Sequence, residues 1–66
     1  MPDASIIGQK LLELRGKRPR IEVSRAVNIT PSALSNYENG LRIPRDEIKI
    51  SLAHFYGKTV EEIFFS

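Results

Sequence analysis

Residues 30–40, TPSALSNYENG, write a short helix with both of its ends specified. Thr30 suits the N-cap, because its hydroxyl accepts a hydrogen bond from an orphan N–H of the first turn. Pro31 suits the first helical position, where a missing N–H costs nothing. Gly40 suits the left-handed stop after the last turn. Between these ends Ala33, Leu34 and Tyr37 recur at helical spacing and share one face. Ser32, Ser35, Asn36 and Asn39 carry the opposite face with short, uncharged side chains that both donate and accept hydrogen bonds. A helix buried on one side, with small polar groups on the other, fits a DNA major groove, where base edges are read by hydrogen bonds.

The remainder of the chain has to supply a core for that helix within 66 residues. Such a length makes one domain at most, here 1–66 with an ordered core expected over about 5–65, near the lower limit for folding without staples. No cysteine is present, so there is no disulfide and no thiolate metal site. His54 is the sole histidine, which excludes a zinc finger. No metal and no cofactor are expected, and the core must come from helix packing, with dimerisation as a further source of burial. No apolar run approaches the roughly 20 residues needed to span a bilayer. Met1-Pro2-Asp3 has no basic n-region of the kind that opens a signal peptide. The default reading is a cytoplasmic protein, and in that setting Asn28-Ile29-Thr30 is a chance match to the glycosylation pattern.

The net charge of +2 is unevenly spread. Residues 1–45 hold eight Lys and Arg against four acids, and residues 46–66 hold two against four, so the two parts carry +4 and −2. A basic N-terminal two-thirds fits an electrostatic footprint for phosphates, and a merely solvated surface accounts for it equally well.

The pattern along the chain is helical throughout. Residues 1–4 read as a loose terminus. From Ser5, Ile7, Leu11 and Leu14 form one stripe, and Gly16 to Pro19 break it. A second helix is expected from about Arg20 to Val27, followed by Asn28, which tolerates the left-handed conformation of a sharp turn, and by Ile29 plugging that turn. The helix at about 31–39 is the third. Leu41 to Pro44 form a loop with Ile43 expected beneath it. A fourth helix, about Arg45 to Tyr56, buries Ile48, Leu52 and Phe55, or a rotated set with Ala53 and Tyr56, and stops at Gly57. Thr59 and Glu62 form a capping box that opens a final turn over Val60–Phe65, returning Ile63 and Phe64 to the core. The fold class is therefore all-α, a compact bundle of about five short helices.

Several segments together resemble one family. These are IGQKLLELR (7–15), SRAVNITPSALSNYENG (24–40), Pro44 and LAHFYGKTVEEIF (52–64). Ile7 to Phe64 is similar to the Cro/repressor-type helix-turn-helix family, also called the xenobiotic-response-element family; Tyr37-Glu38-Asn39-Gly40 with Pro44 after it is the most specific part. The resemblance implies a lambda-repressor-like DNA-binding domain, free-standing over nearly the whole chain, and a phage or bacterial regulator that binds double-stranded operator half-sites as a homodimer. The chain departs from the family pattern at Pro19 and Arg20, which open the second helix where Ser or Thr then Gln is usual. Ser24 stands for the usual small Ala, Asn28 for the turn glycine, and Pro31-Ser32 for the Gln that often opens the recognition helix.

Ser32 and Asn36, one turn apart, match the family's base-reading positions, and Asn binds adenine N6/N7 in bidentate fashion. Pro31 offers apolar contact to a thymine methyl, and Ser35 a donor to base or phosphate. Without the motif around them, these side chains describe an ordinary solvated face. Gln9, Arg20, Asn39 and Arg42 match positions that touch phosphates, Arg20 also within reach of a guanine; Lys17 and Arg18 lie in the loop before the second helix, where surface solubility explains them as well. By the same resemblance, Arg15 and Glu38 form a partly buried ion pair tying the first helix to the end of the third.

No catalytic residue is expected, and the chain does not read as an enzyme. His54 is isolated, while Asp46/Glu47 and Glu61/Glu62 are adjacent in first turns, where acids favour the helix dipole and neighbours point apart. The reading is a sequence-specific transcriptional regulator, a repressor. The alternative is a protein-interaction module of the same fold, an antitoxin or adaptor, docking a partner through Tyr56, Phe64 and Phe65.

Overall fold

The computed structural model describes residues 3–65, and its elements among them are helices only: α1 (Ala4–Arg15), α2 (Arg20–Ala26), α3 (Pro31–Glu38), α4 (Asp46–Tyr56) and a terminal π-helical turn (Glu61–Phe65). Among these residues no helix is long and apolar enough to cross a membrane.

The expected loose terminus over residues 1–4 is corrected. Met1 and Pro2 lie outside the described residues, but Asp3 is the N-cap of α1 and its carboxylate accepts from the Ser5 N–H at 2.8 Å, so the helix begins at Ala4. Along α1, Ile7, Gly8 and Leu11 are buried. A β-carbon on Gly8 would stand 2.5 Å from the Glu38 carbonyl oxygen and 2.7 Å from that of Tyr37. The backbones of α1 and α3 therefore meet where only glycine fits.

The α2–turn–α3 unit is closed by local chemistry. Val23 and Ser24 are buried; the Ser24 hydroxyl donates to the Ile21 carbonyl at 3.2 Å, and the Ser24 carbonyl accepts from the Ile29 N–H at 2.9 Å. Asn28 has φ 60°, and among the described residues no other non-glycine has a positive φ. Ile29 packs against the core as a plug. Thr30 Oγ1 then accepts from the Ala33 N–H at 3.0 Å, and Pro31 starts α3. At the far end the Leu41 N–H donates to Asn36 O at 2.9 Å and the Gly40 N–H to Tyr37 O at 3.3 Å, the paired pattern of a Schellman stop with Gly40 at φ 73°.

The loop after α3 departs from expectation. Ile43 is 44% exposed, and Pro44 is the residue buried there; the extended backbone required before a proline turns the preceding side chain outward. In α4 both expected registers contribute: Leu52 and Ala53 are fully buried, with Ile48, Phe55 and Tyr56 packed at the margin. Gly57, at φ 67°, ends the helix. The capping box is reciprocal, with the Thr59 N–H donating to Glu62 Oε1 at 2.8 Å and the Glu62 N–H to Thr59 Oγ1 at 3.1 Å. The turn it opens buries Ile63 and Phe64 against Leu11, Leu34 and Leu52 at the centre. Phe65, the third apolar residue of that turn, stays 54% exposed.

Candidate nucleic-acid interface

α3 is anchored from behind and open in front. Leu34 and Tyr37 are buried, and Ala33 packs beside them. On the opposite arc Pro31, Ser32 and Asn39 are exposed, while Ser35 and Asn36 are half-buried at its edge. The Asn39 amide donates to Ser35 Oγ at 3.2 Å, so these two side chains are oriented by one another. Ser32 and Asn36 make no side-chain hydrogen bond to the protein among the described residues, which leaves their donors and acceptors available.

The C-terminal end of α3 carries a buried carboxylate. Glu38 has no exposed side-chain surface. Its Oε2 accepts from Arg15 Nε at 2.7 Å, and its Oε1 accepts from Arg20 Nε at 2.8 Å. Arg15 is fixed further, since its Nη1 donates to the Arg18 carbonyl at 2.8 Å. One carboxylate thus ties α1, the α1–α2 loop and the start of α2 to α3. The family resemblance pairs only Arg15 with Glu38; the second partner is Arg20, whose side chain remains 40% exposed. The available signal was an Arg opening α2 near a buried acid with two oxygens to fill.

The other phosphate candidates distribute as follows. Gln9 is exposed and follows Gly8, the point where α1 touches the end of α3. Arg42 is exposed in the loop leaving α3, and Lys17 is exposed in the loop between α1 and α2. Arg18 is directed elsewhere. Its guanidinium lies 5.7 Å from the Phe55 ring centroid and 5.9 Å from that of Tyr56, and Nη1 donates to the Leu14 carbonyl at 3.2 Å. The structure therefore brings Pro31, Ser32, Ser35, Asn36 and Asn39 onto one face and sets Arg18 against the end of α4.

Burial and local hydrogen bonding shift Tyr56 and Glu62. The Tyr56 hydroxyl is buried without a hydrogen-bond partner among the described residues. Burial, and next the Glu38 charge, push its pKa up to about 12, while Arg15 and Arg18 pull the other way. Glu62 is held below the usual carboxylate range, chiefly by its hydrogen bond from the Thr59 backbone. The aromatic docking surface of Tyr56, Phe64 and Phe65 is reduced by the fold. Phe64 is 1% exposed and Tyr56 is half-buried, so Phe65 alone faces outward, with the Lys49 ammonium 4.9 Å from its ring centroid.

Comparison with known proteins agrees with this geometry. The helix-turn-helix family model matches residues 9–63. No curated protein matches the chain. Among solved structures, the clp gene regulator ClgR from Corynebacterium glutamicum is 24% identical, with a TM-score of 0.82 over 91% of this chain and 66% of its own. This chain thus spans about two-thirds of that regulator. The restriction-modification controller protein C.AhdI from Aeromonas hydrophila is 23% identical, with a TM-score of 0.85 over 94% of this chain and 97% of its own. The P22 c2 repressor, solved in complex with a synthetic operator, is 16% identical, with a TM-score of 0.87 over 91% and 94%. The structural likenesses establish a common fold, and the family match covers most of the sequence: the chain belongs to the helix-turn-helix family.

Proposed function

We propose that this member of the helix-turn-helix family is a sequence-specific, double-stranded-DNA-binding transcriptional regulator, a repressor acting in the cytoplasm. The observation that carries the reading is the front of α3: an arc of uncharged hydrogen-bonding groups, two of them unspent, on a helix fixed from behind. In this reading α3 enters the major groove. Asn36 takes an adenine edge, Ser32 and Ser35 supply shorter contacts, and Pro31 touches a thymine methyl. Gln9, Lys17, Arg18, Arg20, Asn39 and Arg42 are the candidates for setting register on phosphates. Arg18 is the weakest of them, because its guanidinium is already engaged with Phe55 and Tyr56.

One such helix reads only a few base pairs, too little to select a site in a genome. A homodimer doubles the readout and spaces half-sites about one DNA turn, roughly 34 Å, apart. The half-exposed Phe65 at the end of the terminal turn supports a C-terminal dimer contact.

Selection of bound fragments from a random DNA pool supplies the operator for the test. Asn36→Ala is expected to weaken binding to that operator more than to random DNA, by roughly 1–3 kcal/mol. Arg42→Ala should weaken both alike and flatten the log–log salt slope by about one unit. Equal loss on both DNAs for Asn36→Ala would show that this side chain does not read sequence. One chain per site, with no two-fold symmetry in the selected sequence, would refute the dimer. A wild-type chain that binds no DNA at all would leave the interaction module.

A further inference from the structure

Arg20 and Glu38 are joined in addition to the Arg15–Glu38 pair. Arg15 already neutralises Glu38, is 14% exposed, and is locked by its second bond to the Arg18 carbonyl. Arg20 brings a second guanidinium to the same carboxylate, so the cluster holds two cations and one anion. The contact uses only the Nε–H of Arg20. A guanidinium has five N–H donors in a rigid plane, and Nε sits opposite the edge formed by Nη1 and Nη2. Nε is committed to the buried Glu38, 40% of the side chain is exposed, and among the described residues the Nη1–Nη2 edge makes no hydrogen bond to the protein. That edge matches two oxygens of one phosphate group.

We propose that Glu38 is a positioning residue for DNA binding, holding Arg20 through Nε so that its Nη1–Nη2 edge takes one backbone phosphate. The inference rests on the DNA-binding reading above. It assigns Glu38 a second task beside bridging the helices: it removes the rotamer freedom that Arg20 would otherwise lose on binding, and it screens Arg20 from Arg15. The phosphate supplies the second anion of a cluster that is one negative charge short.

The experiment uses the full chain on the selected operator and on a random duplex, titrated between about 50 and 200 mM salt. Urea denaturation of each variant separately confirms that it is folded. Arg20→Gln should weaken both duplexes about tenfold, as expected for one charge-assisted contact, and lower the salt slope by about 0.9. Arg20→Lys keeps the charge and so the slope, yet should lose most of that tenfold, because one ammonium cannot bond Glu38 and also present a two-nitrogen edge. Glu38→Gln should weaken binding several-fold with Arg20 present and add no further loss in the Arg20→Gln background. A role confined to fold stability would give the same loss in both backgrounds and would overturn the proposal. If Glu38→Gln does not fold, Arg20→Lys decides: wild-type affinity overturns the proposal, and loss at an unchanged slope supports it. Wild-type chain that fails to bind either duplex refutes the DNA-binding reading together with this inference. Wild-type chain that binds while its Arg20 variants do not differ from it refutes this inference alone.

Discussion

Glu38→Ala is the single change expected to damage this fold most through charge. The carboxylate is fully buried and serves two cations. Its removal strands Arg15, whose side chain is only 14% exposed and keeps a single bond to the Arg18 carbonyl. Breaking a buried pair from one side costs about 3–5 kcal/mol. Arg20, at 40% exposure, rehydrates and adds at most about 1 kcal/mol. The expected loss is therefore about 3–5 kcal/mol, against a total stability of about 3–10 kcal/mol for a chain of 66 residues. Arg15→Met should cost less, because Glu38 then retains Arg20. The double change Arg15→Met with Glu38→Leu replaces the pair by apolar groups and should recover much of the loss. The assay is urea denaturation followed by helical circular dichroism, with sulfate added to hold the folded baseline of the weakest variant. Additive losses in the double-mutant cycle, or an Arg15→Met loss as large as that of Glu38→Ala, would refute the reasoning.

Three further outcomes follow from the geometry. Gly8→Ala should lower the urea midpoint by the equivalent of about 1–3 kcal/mol, since the added methyl meets two backbone carbonyls; a midpoint at or above wild type would mean that α1 and α3 separate freely. Because Tyr56 is raised to about 12 in the folded state, its contribution is fully present below about pH 10 and is lost as pH rises from there towards 12. Tyr56→Phe should abolish that part of the alkaline loss without lowering stability at neutral pH, and a variant as alkali-sensitive as wild type would exclude Tyr56 as its source. Glu62 is depressed in the folded state, so its contribution is present above the ordinary carboxylate range and is lost as pH falls through it. Amide protection factors in the terminal turn, which correct for the intrinsic slowing of exchange in acid, should therefore fall on acidification, and Glu62→Gln, which removes the titrating carboxylate, should remove that pH dependence.

The parts of the fold that were legible in the sequence are those whose causes are local. Thr30, Pro31 and Gly40 bound α3 through atoms within four residues of each end, and the Thr59–Glu62 box spans one turn. Asn28 takes the left-handed turn for a reason internal to its own side chain. Asp3 is legible by the same logic, as an acid two residues before the N–H it caps, although it lies next to the start of the sequence, where helix ends commonly fray. Gly8 was not legible. It sits mid-helix, where glycine is unfavourable, and its reason is the backbone of Glu38 thirty positions away. The second partner of Glu38 was hidden likewise: which of several arginines reaches a buried acid depends on how α2 is set against α3, and no local pattern carries that.

The division of labour in α3 follows from where its constraints lie. At its start the helix is fixed by the Thr30 cap and the Asn28–Ile29 turn; at its end it is fixed by the backbone approach of Gly8 and by a carboxylate shared between α1 and α2. None of these constraints uses Ser32 or Asn36. The orientation of the front face is thus determined largely by residues that do not belong to it, while the side chains of Ser32 and Asn36 hold nothing in place. In a DNA-binding reading this separates two quantities that a small domain has to control with few side chains. Where the helix sits in the groove is a property of the core and the charge cluster, while which bases it prefers is a property of exchangeable surface groups. Arg20 stands on both sides of the division, bonded to the buried Glu38 through Nε while 40% of its side chain is exposed, which is why its replacement is an informative single change for telling positioning from reading.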